Sequence, residues 1–292
     1  MNRETSLGRA TVRQLCRAFG LSRQALYAAR KPPARRSRRP ARPTAPTVTP
    51  VSVLEPEIRQ IVASHPAWGV RKVWATLRRR KLCVSRKRVW ALMRAWGLTL
   101  PPSAEREGPA LRGHVAVPDS NRRWATDLTT VWTRQDGVIA LVPVIDCGDR
   151  YALGCEVTAS QESGSVLAPV ERALEETFSS PAGVPDGLEL RSDHGPQYTG
   201  QDCMDLCDRW RLDHTLAPVG RPTGNAVAER FIETLKVELI WTRDWETIEE
   251  LRDAILAWLE EYNHERPHQS LNWMTPAEKR TQNLGQRLSA AA

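Results

Sequence analysis

RWATDLTTVWTRQDGVIALVPVIDCGDRYALGCEVTA, residues 123–159, holds three short runs of β-branched and aromatic residues separated by turn signals. Runs of that kind read as strands. Downstream the period changes. SGSVLAPVERALEETFSS (163–180) is an amphipathic helix, LELRSD (188–193) a strand, TGQDCMDLCDRWR (199–211) a helix and LDHTLAP (212–218) a strand. Long helices follow. The order of elements predicts an α/β fold around a mixed five-stranded sheet.

Three acids stand out by position. Asp127 lies inside the first strand-like run, where a carboxylate is expensive unless paired or bound to metal. Asp193 ends a strand and precedes His194-Gly195-Pro196, and acids at strand ends in α/β folds point into the crevice where ligands bind. Glu229 lies on the helix NAVAERFIETLKVELIW (225–241), whose apolar stripe is Ala228, Phe231, Ile232, Leu235 and Leu239. Glu229, Glu233 and Lys236 share another face. Three converging acids suit two hard cations, Mg²⁺ or Mn²⁺, held through oxygen. Such ions neutralise charge at both ends of a phosphodiester displacement.

Charge is unevenly spread. Residues 1–114 carry 25 basic and 5 acidic side chains, a net +20, whereas the remainder is −12. One end is built for a polyanion and the other concentrates carboxylates. Residues 9–30 read as two short helices around Gly20, with Ser22 as the second N-cap and Arg23 and Gln24 where base edges would be met. Residues 31–54 are a proline- and arginine-rich linker. Residues 55–98 form a second helix-turn-helix-like module. Its last helix is capped by Ser85 and ends at Gly97, and it crowds Arg86, Lys87 and Arg88 into the first turn, where a phosphate would relieve the dipole conflict. Residues 99–121 are a connector, 122–280 the catalytic core and 281–292 a tail. No apolar run spans a membrane and no secretory signal is apparent, so a cytoplasmic, nucleoid-associated protein is expected.

Other residues have plainer readings. Cys203 and Cys207 lack a matching second ligand pair and read as packing cysteines. Asp146 and Asp149 read as turn and surface residues. His194 reads as turn packing, and Pro267 spoils any zinc geometry between His264 and His268.

The motifs WATDLT (124–129), RSDHGPQY (191–198) and GNAVAERFIETLK (224–236) resemble the three active-site motifs of DDE transposases and retroviral-type integrases, and 35 residues separate Asp193 from Glu229, as in the integrase-like members. YNHERPHQSLNWMTPAEK (262–279), residues 65–98 and LCRAFGLSRQALYAARK (15–31) resemble the longer reading frame, OrfB, of bacterial insertion-sequence-three transposases. The resemblance implies a ribonuclease-H-like core preceded by helix-turn-helix modules. It implies metal-dependent end cleavage and strand transfer by Asp127, Asp193 and Glu229. It prefers Glu229 to Glu233, because the family's Glu stands four residues after an Asn, here Asn225. Arg71, Asn225 and Lys236 join Arg23, Gln24, Arg86, Lys87 and Arg88 as expected DNA contacts. The implied partners are terminal inverted repeats, target DNA, a second copy of the chain and an upstream OrfA segment. A DNA-binding regulator that lost catalysis, or another ribonuclease-H-like nuclease, are the competing readings.

Overall fold

The computed structural model describes residues 16–20, 22, 48–101, 117–218 and 224–291, the side chains to residue 286. The chain divides into two units, 1–47 and 48–292. In the first, residues 16–18 are helical and Gly20, at φ +62°, follows them in the left-handed region that glycine enters without strain. Arg23, Gln24 and the linker to residue 47 lie outside the described residues.

The second unit opens with three helices: α1 (Val51–Ser64), α2 (Val70–Arg79) and α3 (Arg86–Ala95). Leu54, Ile58 and Ile61 recur at helical spacing on α1 and pack with Trp68, Val73, Leu77, Val89 and Met93. Ser85 accepts from the Arg88 N–H as the N-cap of α3, and Gly97, at φ +68°, follows its end.

The sheet comprises β1 (Arg123–Thr126), β2 (Thr129–Thr133), β3 (Gly137–Asp146), β4 (Ala152–Thr158), β5 (Glu189–Ser192) and β6 (Asp213–Leu216). β3 pairs antiparallel with β1, β2 and β4, while β1–β5 and β5–β6 are parallel. Six strands stand where five were expected, because the first run is split. The register is continuous through β1 and β2, which puts Asp127 opposite Pro143. The Cys147 N–H donates to Arg123 O, and the alternation from that pair makes Asp127 and Pro143 bonding partners. Proline has no N–H to give, so the ladder opens there. With β1 and β2 taken as one broken strand, the spatial order β4-β3-β1-β5-β6 is that of a ribonuclease-H-like sheet.

Both faces are covered, which is why β3 is apolar almost throughout. On one face α4 (Ser163–Phe178), a short α5 (Pro196–Thr199) and α6 (Gln201–Trp210) bury Val166, Val170, Leu174, Tyr198 and Leu206 against Trp124, Val142 and Leu190. On the other, α7 (Ala226–Glu238) and α8 (Ile248–His264) bury Phe231, Leu235, Ile255 and Trp258 against Ile139, Leu141 and Val157. Truncating such side chains costs roughly 2–5 kcal/mol each.

The helical module docks on this core through polar groups. Glu238 at the end of α7 accepts from both Arg266 Nε and Nη2 at 2.8 Å, and also from Lys72 and the Trp68 indole. Arg79 makes two bonds to Glu278, at 2.6 and 2.8 Å, and Trp74 meets Trp273 edge-on with centroids 5.7 Å apart. The last helix, α9 (Pro276–Ala291), returns to the sheet. There the expectation for Asp146 and Asp149 is corrected: both are fully buried, and Arg280 Nη1 lies 3.2 and 3.1 Å from them. Ser120 and the Asn121 N–H complete their shells. Two buried like charges need such a cation, and α9 supplies it. Among the described residues, no helix is long and apolar enough to cross a membrane.

Candidate active site

Asp127 occupies the gap in the broken strand. The Leu128 N–H donates to its Oδ1 at 2.9 Å, a bond available because Leu128 has left the ladder. Asp193 sits just past the end of β5, the parallel neighbour of β1, so the two acids emerge from adjacent strands. The Gly195 N–H holds Asp193 Oδ1 at 2.9 Å. A Cβ on Gly195 would come within 3.0 Å of that oxygen, so the tight turn uses glycine for close approach. His194 is exposed in the same turn.

Glu229 arrives from α7, whose start is tied to the sheet by Asn225. Its Nδ2 donates to Thr126 O at 2.9 Å, its own carbonyl accepts from the Glu229 N–H at 3.1 Å, and it is 4% exposed. Its Oδ1 is buried and finds no donor among the described residues. Asn225 was expected at the DNA; its burial makes it a tie between helix and strand.

Asp127, Thr129, Glu229, Glu233, Lys236 and the exposed Trp241 line one recess of about 310 Å³. Burial first, then the charges of Asp193 and Glu229, push the Asp127 carboxyl up to about 6, against the Leu128 N–H and Lys236. Burial also raises Glu229. None of the three acids forms an ion pair among the described residues. Glu233, by contrast, is bound by Arg230 at 2.7 Å, and Lys236 Nζ donates to Thr129 Oγ1 at 2.6 Å instead of pairing with Glu233. Three uncompensated oxygen donors from three elements fit hard divalent cations.

The expected DNA contacts do not gather in one place. Arg86 and Lys87 are exposed at the start of α3, with Arg88 half-buried beside them. Arg71 lines a separate cleft of about 790 Å³ between the helical module and the core, with Arg150, Arg191 and Arg230. Val227, Arg230 and Thr234 face this cleft, whereas Glu229, Glu233 and Lys236 face the recess. At 3.6 residues per turn the two sets centre about 125° apart, on different sides of α7.

Cys203 and Cys207 read from the sequence as packing cysteines without further ligands, and the residue that reading misses is His214. His214 on β6 joins Cys203 and Cys207, and one ligand atom of each lies within 4.8 Å of the others. His214 stands seven residues after Cys207, and the turn from α6 into β6, with β6 paired to β5, carries it back against the two thiols.

Residues 118–222 and 210–276 match the family models described as "Integrase core domain", and 52–104 match "HTH-like domain". Among curated relatives, the putative transposase for insertion sequence element IS986/IS6110 of Mycobacterium tuberculosis is 29% identical over 245 residues, covering 79% of this chain and 87% of its own. Transposase InsD for insertion element IS2D of Escherichia coli is 28% identical, covering 76% of each chain. An uncharacterized 31.7 kDa protein of insertion element IS407 from Burkholderia multivorans is 26% identical, covering 91% and 89%. Among solved structures, the catalytic core domain of BIV integrase aligns with a TM-score of 0.43 at 20% identity, over 59% of this chain and 99% of its own. The two integrase-core matches together run from residue 118 to 276, directly behind the HTH-like match, and their order and the named relatives agree: the chain belongs to the integrase-core family, as an insertion-sequence transposase of the DDE type.

Proposed function

We propose that the chain cleaves the ends of an insertion sequence and transfers the strands into target DNA, with Asp127, Asp193 and Glu229 as the acids that hold two Mg²⁺ or Mn²⁺ ions. The observation that carries this reading is the gap in β1–β2, where Asp127 stands without an ion-pair partner among the described residues and near enough to Asp193 and Glu229 for both charges to raise it. When bound, the ions supply charge neutralisation and activation of the attacking water or 3′-hydroxyl. The chain's own part is positioning. The Leu128 and Gly195 N–H groups each fix one carboxylate oxygen, so Asp127 and Asp193 need little reordering. Asn225 sets the start of α7 against Thr126 and thereby the height of Glu229 over the sheet. Lys236, held at Thr129 on the rim, is placed to meet a phosphate. Glu229 serves in preference to Glu233, because Arg230 already neutralises Glu233.

In this reading the exposed turn of Arg86, Lys87 and Arg88 and the cleft at Arg71 bind DNA backbone, with Arg23 and Gln24 added from the N-terminal unit. The partners are terminal inverted repeats and target DNA. Acting on two ends requires at least a dimer, and an upstream OrfA segment joins by fusion.

The test is strand transfer of terminal-repeat DNA in Mg²⁺ or Mn²⁺. Asp127→Asn, Asp193→Asn and Glu229→Gln are each expected to abolish joining while DNA binding stays within a few-fold of the wild type. Joining that survives all three substitutions would place the chemistry elsewhere. Wild-type joining that is absent while terminal repeats are bound would favour a DNA-binding regulator.

A further inference from the structure

Cys203 and Cys207 lie one turn apart on α6, on the buried stripe with Leu206 and Trp210. Both are essentially solvent-free, at 0% and 4% exposed. Across from them is β6. Its alternate residue Thr215 points to the α7 side, where it bonds Glu189 and Arg191, so His214 points towards α6. His214 Nε2 stands 4.0 Å from Cys203 Sγ and 3.1 Å from Ser192 Oγ. The two sulfurs and one imidazole nitrogen lie within 4.8 Å of one another.

Those separations suit a tetrahedral centre. Metal–sulfur bonds of roughly 2.3 Å and metal–nitrogen bonds of roughly 2.0–2.1 Å put S···S at about 3.8 Å and S···N at about 3.6 Å. The observed sulfur–nitrogen distance needs a contraction of a few tenths of an ångström. The packing reading explains two buried thiols, and a bond to Ser192 orients the imidazole, but neither requires its Nε2 to stand 4.0 Å from a buried thiol with the second thiol beside it. His214 also provides a route inwards, since it is the ligand that solvent reaches.

We propose that Cys203, Cys207 and His214 form a site for one thiophilic divalent ion of the zinc class, with Ser192 Oγ beside the fourth position. Soft sulfur donors select such an ion over Mg²⁺, so this centre and the carboxylates bind different metals. The ion would join α6, β6 and the end of β5. Ser192 is the residue before Asp193, so the clamp sits directly behind one of the three acids. Its role is structural: it holds that strand end and touches no reacting atom.

The test uses the full chain, reduced and free of transition metal, in excess Mg²⁺ so that the carboxylates are supplied with a hard ion. Co²⁺ is added to one equivalent and the absorption spectrum is read. The expected result is a thiolate-to-cobalt charge-transfer band with tetrahedral visible bands, both removed by equimolar Zn²⁺. Cys203→Ala and Cys207→Ala should each weaken the bands' midpoint at least ten-fold, whereas Cys83→Ala leaves it unchanged. Loss of an outer-shell partner alone weakens metal sites by roughly 10–100-fold, so loss of a ligand should do no less. Wild-type protein with no charge-transfer band overturns the proposal without reference to any variant. So does a band that the folded double variant Cys203→Ala/Cys207→Ala retains. Zn²⁺ should also shield Cys203 and Cys207 from alkylation in peptide mass maps, and unchanged labelling would count equally against the site. None of these readouts requires DNA or strand transfer, so the result is independent of the proposed activity.

Discussion

Replacing Glu238 by Gln should destabilise the 48–292 unit more than any single surface charge change. The Glu238 side chain is 6% exposed, and its two cationic partners, Arg266 and Lys72, are 9% and 24% exposed. The carboxylate receives two Arg266 bonds at 2.8 Å, the Lys72 ammonium and the Trp68 indole at 3.4 Å. An amide at that place removes the anion that Arg266 and Lys72 share and aims a donor at a guanidinium. Breaking a buried ion pair from one side costs about 3–5 kcal/mol, because the remaining charge stays buried. For a unit of this size each kcal/mol moves the melting temperature by roughly 2–4 °C, so the drop should be about 6–20 °C. The control is Glu278→Gln. It opens the Arg79 pair, whose side chains are 32% and 47% exposed, and should cost at most about 1 kcal/mol.

The pH dependence follows from the sign of the Glu238 shift. Burial alone would raise this carboxyl, but Arg266 and Lys72 hold it below its ordinary value. Its contribution is therefore complete above the unfolded pKa of roughly 4.3 and is lost as pH falls through the lower folded value. Lys72 is pushed down by burial and by Arg266, which marks it as the weaker of the two partners. Thermal melts of wild type and both variants at pH 7.5 and near pH 3.5 are the assay. A Glu238→Gln melt within 2 °C of wild type at pH 7.5, or a gap that widens in acid, would refute the reasoning.

Three further outcomes are expected. Asp127, raised to about 6 by burial and its acidic neighbours, destabilises the metal-free protein once the unfolded carboxyl ionises; Asp127→Asn should therefore raise metal-free stability by about 1–2 kcal/mol at pH 8, by about half of that at pH 5 and by little below about pH 4, measured by urea titration, after allowance for solvent screening. Arg280→Ala leaves Asp146 and Asp149 facing each other in the core and should cost about 3–5 kcal/mol at pH 8; since burial and Asp149 already push Asp146 up to about 7, the deficit should shrink as pH falls through that value, and a deficit equal at pH 8 and 5.5 would contradict the charge argument. Removing the three charges of Arg86, Lys87 and Arg88 should lower the slope of log affinity against log salt by about 2.7, read by DNA titration at several salt concentrations, and an unchanged slope would remove that turn from the interface.

The part of the active site legible in the chain was the part carried by local pattern. Asp127 in an apolar run and Asp193 at a strand end are visible because strand and turn signals are short-range. Ser85 and Gly97 were legible for the same reason, since caps are read from a few adjacent residues. What stayed hidden depends on partners distant in the chain. The opening at Asp127 needs Pro143 across the ladder, and only the register supplies it. Asp146 looks like a turn acid until Arg280, 134 residues later, is known to cover it. The choice between Glu229 and Glu233 rested on Asn225 in the sequence; the structure adds Arg230 as the group that occupies Glu233.

The two ends of α7 make that helix a lever. Glu229 and Glu238 are nine residues apart, about 13.5 Å of unbroken helix at 1.5 Å per residue. One end carries an acid of the triad, while the other is the fastening of the helical module through Lys72 and Trp68. Phe231 and Leu235 between them are buried, so the rod cannot bend without disturbing the core. A tilt of the module against its Glu238 fastening is delivered to Glu229 as a displacement of similar scale, and the fit of the three acids becomes sensitive to a load applied well away from them.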